Sequence, residues 1–135
     1  MVIIKLTDWN GLAGILPKLR EAKLVTKNQT RMTWLIAVCP TTRRVVGCGG
    51  LREMPNKTGR LRTLWVDPAY RGQGIGGELF KARLKMARDR GYRKLTAYAS
   101  PMSLGTYLRH GFTVKSEIDR GSRVTRYVVK DLTAT

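Results

Sequence analysis

Apolar positions along this chain fall mostly in short runs of strand length, interrupted twice by stretches of helical spacing. Val2 to Leu6 is a short β-prone run. Asp8 can cap a following helix that carries Leu12, Ile15, Leu16 and Leu19 on one face. Pro17 lies too far in for the first turn of that helix and predicts a kink or a restart. Met32 to Cys39 reads as a strand, Pro40 to Arg43 as a turn and Arg44 to Leu51 as the returning strand. Pro55 to Gly59 is a second turn, and Arg60 to Val66 a third strand of this group. Pro68 and a set of glycines stop it. A helix follows over about Gly76–Arg90, with Ile75, Leu79, Phe80, Leu84, Met86 and Ala87 as its apolar stripe. Lys81, Lys85 and Arg88 line another face, and Gly91 ends the helix. Lys94 to Ser100 is a strand, and Ser103 to Arg109 a short helix closed by Gly111. Phe112 to Ile118 and Arg123 to Leu132 form a hairpin across Asp119 to Ser122. The order β-α-β-β-β-α-β-α-β-β, with no repeat or linker, predicts one α/β (α+β) domain over residues 1–135, built on a mixed, mostly antiparallel sheet.

Composition narrows the function classes. The chain has 135 residues, and 42% of them are apolar, enough for a core. Its longest unbroken apolar run, Trp34 to Cys39, is far short of the roughly 20 residues a membrane span needs. The start of the chain lacks the pattern of a signal peptide. Two cysteines, Cys39 and Cys48, make neither a disulfide framework nor a metal cluster. These features predict a soluble cytoplasmic protein with reduced thiols and no metal. Lys and Arg number 26 against 9 Asp and Glu, a net charge of +17. The excess runs through both halves of the chain, so it belongs to the folded body and not to a tail. Such a body attracts polyanions, nucleic acid first, through their phosphates. The plainer alternative is a basic surface that serves solubility.

The densest chemistry lies in Leu64 to Gly77, where a strand enters and a helix leaves around Gly72, Gly74, Gly76 and Gly77. Helix starts expose unpaired N–H groups, and glycines let a phosphate approach the backbone closely. Gly72, Gly74 and Gly77 spell G-x-G-x-x-G, but the next strand ends in Tyr98-Ala99-Ser100 without the acid a dinucleotide site wants. The Gly-Lys-Ser/Thr ending of a P-loop is also missing. A tight turn without a ligand and a cradle for another pyrophosphate-bearing ligand are the remaining readings.

Arg71-Gly72-Gln73-Gly74-Ile75-Gly76 matches the R-x-x-G-x-G/A signature of the GCN5-related N-acetyltransferase (GNAT) superfamily. Val66-Asp67-Pro68 before it, and Tyr107-Leu108-Arg109-His110-Gly111-Phe112 beyond it, resemble the family's flanking V-x-P and Y-x-x-x-G-F segments. The resemblance covers roughly residues 32–132. It implies a sheet with one splayed strand pair, flanked by helices, and acyl transfer from acetyl-CoA, or another acyl-CoA, to an amine. Main-chain N–H groups from Gln73 to Gly76 would hold the pyrophosphate, helped by Arg71 and Gly72. The backbone of Leu64, Trp65 and Val66 would engage the pantetheine, and the Val66 N–H would polarise the thioester carbonyl. Tyr107 aligns with the family's general acid. The strand before the loop lacks the glutamate that many members carry there. Glu53 is then the nearest candidate base, Ser100 and Ser103 could orient the acceptor or a water, and Asp67 is a turn residue. His110 reads as a helix-end residue, and the two cysteines as small core residues.

Acids near the presumed cleft are scarce, which argues against cationic acceptors. The charge favours an acceptor that is, or is carried by, a nucleic acid, with Lys81, Lys85 and Arg88 as one phosphate patch and Arg120, Arg123 and Arg126 as another. Tyr98-Ala99-Ser100 with Gly105, Tyr107 and Phe112 loosely resembles phage Mom-type DNA-modifying proteins, although their aspartate is absent. A protein or ribosomal-protein N-acetyltransferase, and an inactive GNAT-shaped nucleic-acid-binding module, are the alternatives. The oligomeric state stays open, a homodimer included.

Overall fold

The computed structural model describes residues 2–22, 24, 31–119, 121 and 124–133. Strands are β1 (Ile3–Thr7), β2 (Met32–Val38), β3 (Val45–Met54), β4 (Thr58–Val66), β5 (Lys94–Ala99), β6 (Thr113–Asp119) and β7 (Val124–Asp131). Helices are α1 (Leu16–Glu21), α2 (Ile75–Asp89) and α3 (Pro101–Arg109). The seven strands follow the hydrogen-bonded order β1-β2-β3-β4-β5-β7-β6. The chain packs as two compact units, residues 1–53 with 61–86, and residues 54–60 with 87–135.

In the first unit, the expected N-terminal helix is a 3-10 turn over Trp9–Ile15 followed by α1. Pro17 falls in the first turn of α1, so the proline causes a restart: it has no N–H to lose there. Asp8 caps the 3-10 turn through the N–H groups of Asn10 and Gly11. Strand β2 is covered on both faces. Trp34 and Ile36 meet Leu12, Ile15 and Leu19 on one side, together with Cys48 and Trp65. Leu35 and Ala37 meet Val46, Ile75 and Leu79 on the other. That double burial is why β2 reads as an unbroken apolar run and not as an alternation.

In the second unit, β5 and β7 pair antiparallel from Lys94↔Asp131 to Ala99↔Arg126. The β4–β5 ladder is parallel and three pairs long, Thr58–Arg60 against Lys94–Thr96. Leu95, Ala97, Ala99 and Val128 are buried on one face of this sheet. Helix α3 starts at Pro101, earlier than Ser103, and ends before Gly111, whose φ of 86° needs a glycine. Among the described residues, no helix is long and apolar enough to cross a membrane. None of them forms a cluster of three or more His, Cys, Asp or Glu placed to hold a metal.

Candidate active site

The glycine turn begins where β4 ends. Asp67 shapes it: one carboxylate oxygen accepts from the Ala69 N–H at 3.0 Å, the other from Lys18 Nζ at 3.0 Å. These two bonds, the Ala69 one first, hold the Asp67 carboxyl below its ordinary range. Its own N–H donates to the Val46 carbonyl, tying the turn to β3. Asp67 is thus the turn residue the sequence suggested. Arg71 folds back, and its Nε donates to the Val66 carbonyl at 2.9 Å. Gly72 and Gly74 take φ of 81° and 83°, the left-handed region that glycine enters without strain. Among the described residues, and apart from the chain immediately around them, no protein atom lies within 4 Å of where a Cβ would stand on Gly72, Gly74 or Gly77. The backbone from Gly72 to Gly74 is exposed, and α2 opens immediately after it.

Other candidate residues of the first unit divide by task. Trp65 and Ile75 are buried and give their side chains to the core, leaving only their main chain for a ligand. Val66 is half-buried, and Leu64 is exposed at the end of β4. Gln73 lies in the turn before α2 and Gly76 in its first turn, where a Cβ would rest 3.7 Å from Val66 Cγ2. Glu53 is exposed on β3, far from the turn. Gly47 is the β3 residue beside the Trp65 carbonyl, and Glu53 lies six residues farther along, about 20 Å at strand rise. The structure therefore does not bring Glu53 to the Val66 end of β4.

In the second unit, Ser100 caps α3. Its hydroxyl accepts from the Ser103 N–H at 3.3 Å, and its own N–H donates to Ser103 Oγ at 3.0 Å. Both serines are engaged in a capping box, a structural task that the acceptor-orienting expectation overlooked. Tyr107 is half-buried on α3, its ring edge-on to Phe112 at 5.1 Å. His110 caps the end of α3, with Nδ1 2.8 Å from the Thr106 carbonyl. Lys81, Lys85 and Arg88 are exposed along α2. Arg126 Nε pairs with Glu117 at 3.0 Å, which offsets its charge for any phosphate. Arg120 and Arg123 lie outside the described residues.

Residues 5–112 match the family model described as the acetyltransferase (GNAT) family. This chain belongs to the GNAT family. It is 34% identical over 115 residues to an amino-acid acetyltransferase of Mycobacterium tuberculosis, covering 84% of this chain and 63% of that protein. It is 32% identical over 107 residues to a glucosamine 6-phosphate N-acetyltransferase of Trypanosoma brucei brucei, covering 75% of this chain and 67% of that protein. The match thus spans just under two thirds of the first relative's length. An IAA acetyltransferase from Bacillus cereus shares the fold, with a TM-score of 0.72 at 22% identity, over 98% of this chain and 100% of that one.

The GNAT turn fits the pyrophosphate of acetyl-CoA, the cosubstrate of the family. The space a side chain would fill at Gly72, Gly74 and Gly77 is open, and the first turn of a 15-residue helix supplies N–H groups without helical partners. Three features of this GNAT chain escape its sequence pattern. Thr63 sits within β4 at φ 52°, a strained position for a β-branched residue, with its hydroxyl donating to the Leu24 carbonyl at 2.8 Å. Arg83, in the apolar stripe of α2, is only 1% exposed and donates to the carbonyls of Gly50 at 3.1 Å and Arg62 at 3.4 Å. The small residues Gly47, Gly49 and Gly50 on β3 were the available signal for it. A cavity of about 470 Å³ is lined by Lys18, Glu21, Trp65, Asp67 and Arg71 among others, and it brings Glu21 to the turn.

Proposed function

We propose that this GNAT chain transfers an acetyl group from acetyl-CoA to the amine of an acceptor that also carries an anionic group. The observation that carries the reading is the open glycine turn leading into α2, with Gly72 and Gly74 in left-handed geometry. Acetyl-CoA, when bound, supplies an activated acyl carbon whose C–S bond is exchanged for a C–N bond to the amine. Gln73 to Gly76 hold the pyrophosphate through their N–H groups, and Arg71 braces the turn from below. The Val66 N–H is the donor assigned to the thioester oxygen. Tyr107, by the family resemblance, gives its phenolic proton to the departing sulfur. Glu21, which lines the same cavity as Trp65 and Asp67, is the carboxylate we assign to take the proton the amine loses. An amino-acid acceptor or a sugar phosphate, as in the names of the two relatives, combines an amine with an anion, which suits the Arg71 guanidinium in the same cavity.

A nucleic-acid-borne amine is the second reading, favoured by the net charge of +17 and by Lys81, Lys85 and Arg88 exposed along α2. One set of assays separates the two. Calorimetry with acetyl-CoA tests the turn. Thiol release with glutamate, glucosamine 6-phosphate and a polyamine tests the acceptor class, the first two expected active and the polyamine inactive. Mass spectrometry of DNA and RNA exposed to the enzyme tests the second reading. A protein that binds no acetyl-CoA overturns both readings.

A further inference from the structure

Tyr98 and Tyr127 stand opposite each other on the two middle strands of the second unit, where the strand order is β4, β5, β7, β6. Their ring centroids are 5.2 Å apart at an interplanar angle of 43°. The guanidinium carbon of Arg60, from the start of β4, lies 5.0 Å from the Tyr98 ring centre. Its Nε is held 3.4 Å from Thr96 Oγ1. Three flat side chains thus form a row across three strands.

The alternation of the strands separates this row from the core. Leu95, Ala97 and Ala99 point to the other face and are fully buried, while Tyr98 remains 47% exposed. Beside Tyr127 the surface opens into a cavity of about 840 Å³ whose walls include Arg93, Lys94 and Lys115. Among the described residues Asp131 is the one carboxylate on those walls, and its Oδ1 accepts from the Thr133 N–H at 2.8 Å and the Thr133 hydroxyl at 2.6 Å. The face is therefore aromatic at its centre and cationic at its edge. An apolar partner would leave three cations to be desolvated against a single carboxylate, a net positive charge without compensation. A small inorganic anion would have no use for the rings.

We propose that this face binds single-stranded nucleic acid, with bases stacking on the Arg60–Tyr98–Tyr127 row and phosphates running past Arg93, Lys94 and Lys115. Aromatics on two adjacent strands of a sheet, Tyr98 exposed and Tyr127 half-buried, are suited to unstacked bases, because each base offers a flat face whatever its identity. A duplex keeps its bases closed and offers such a row nothing but its backbone. The proposal does not depend on the acceptor proposed above.

The test is fluorescence anisotropy of the full chain with a labelled oligo(dT) of about 15 nucleotides, a length that spans such a face. A duplex of the same length and poly-glutamate serve as competitors. Tyr98→Leu and Tyr127→Leu are each expected to weaken oligo(dT) binding about 10-fold while leaving its salt dependence unchanged. Lys94→Gln combined with Lys115→Gln is expected to lower the slope of log affinity against log salt by roughly 1.4 units. Lys5→Gln, an exposed cation on β1, is expected to change affinity less than twofold. The proposal is overturned if both tyrosine variants, folded by circular dichroism, bind as wild type does. Duplex or poly-glutamate competing as well as unlabelled oligo(dT) also overturns it, since the face would then recognise charge alone.

Discussion

The guanidinium of Arg83 occupies the space that a side chain on Gly49 would need. A Cβ at position 49 would stand 2.9 Å from Arg83 Nε and 3.1 Å from Arg83 Cδ. An arginine on a surface would swing aside, but this one is 1% exposed, lies 5.6 Å from the Phe80 ring centre and donates to the Gly50 and Arg62 carbonyls. Gly49→Ala is therefore expected to displace Arg83 and weaken those bonds. The cost is about 2 kcal/mol, or roughly an 8 °C fall in Tm by calorimetry. An unchanged Tm would show that the guanidinium has room to move.

Gly74 is expected to behave differently, because a Cβ there meets no described residue beyond its own neighbours in the chain. Gly74→Ala places a methyl group in open space at φ 83°, so the fold bears about 1 kcal/mol of backbone strain and little else. The same methyl intrudes where the pyrophosphate must approach, and Gly74→Val intrudes further. Acetyl-CoA affinity is expected to fall more than tenfold in the alanine variant and to vanish in the valine variant, read by calorimetry. Affinity equal to wild type would place the cosubstrate elsewhere.

Tyr107→Phe keeps the edge-on contact with Phe112 and removes only the hydroxyl. Stability should change little. Turnover should fall on the order of 10²-fold with the KM for acetyl-CoA nearly constant, because a proton donor to the leaving sulfur acts in the transition state. Full turnover in the variant would leave Tyr107 with a packing role alone.

The two cysteines should separate by reactivity. Bonds to Cys39 from the Thr42 hydroxyl and from the Thr42 and Thr41 N–H groups favour the thiolate and bring its pKa down to about 7. Burial pushes Cys48 up to about 12, against a smaller opposing effect of Arg83. A depressed thiol pKa raises the thiolate fraction above that pH, to roughly three quarters at pH 7.5. Iodoacetamide at pH 7.5 should modify one thiol of the native protein, lost in Cys39→Ser, with a rate that falls as pH drops through about 7. Labelling of Cys48 before denaturant is added would contradict its burial.

Local chemistry made much of this protein legible in its sequence. Gly72, Gly74, Gly91 and Gly111 stand where the backbone turns left-handed, and each such turn can be recognised from a single segment because its cause is the absence of a Cβ. Asp8 was readable as a cap and Asp67 as a turn residue because the main-chain N–H groups they accept from lie within three residues along the chain. Where side chains from distant segments compete for one space, the sequence fell silent. Arg83 reads as one more cation on an amphipathic helix until β3 and β4 present carbonyls to it across a bed of glycines. Thr63 reads as an ordinary strand residue until the Leu24 carbonyl accepts its hydroxyl. Glu53 looked adjacent to the turn because it ends the preceding strand, yet the antiparallel course of β3 and β4 carries it to the opposite end, and α1 brings Glu21 there instead. Tyr98 and Tyr127 are 29 residues apart, and only strand register sets them side by side. Periodicity decides which face of an element is apolar; which partner meets that face, and whether a charge on it is buried, depends on long-range pairing that no local pattern encodes.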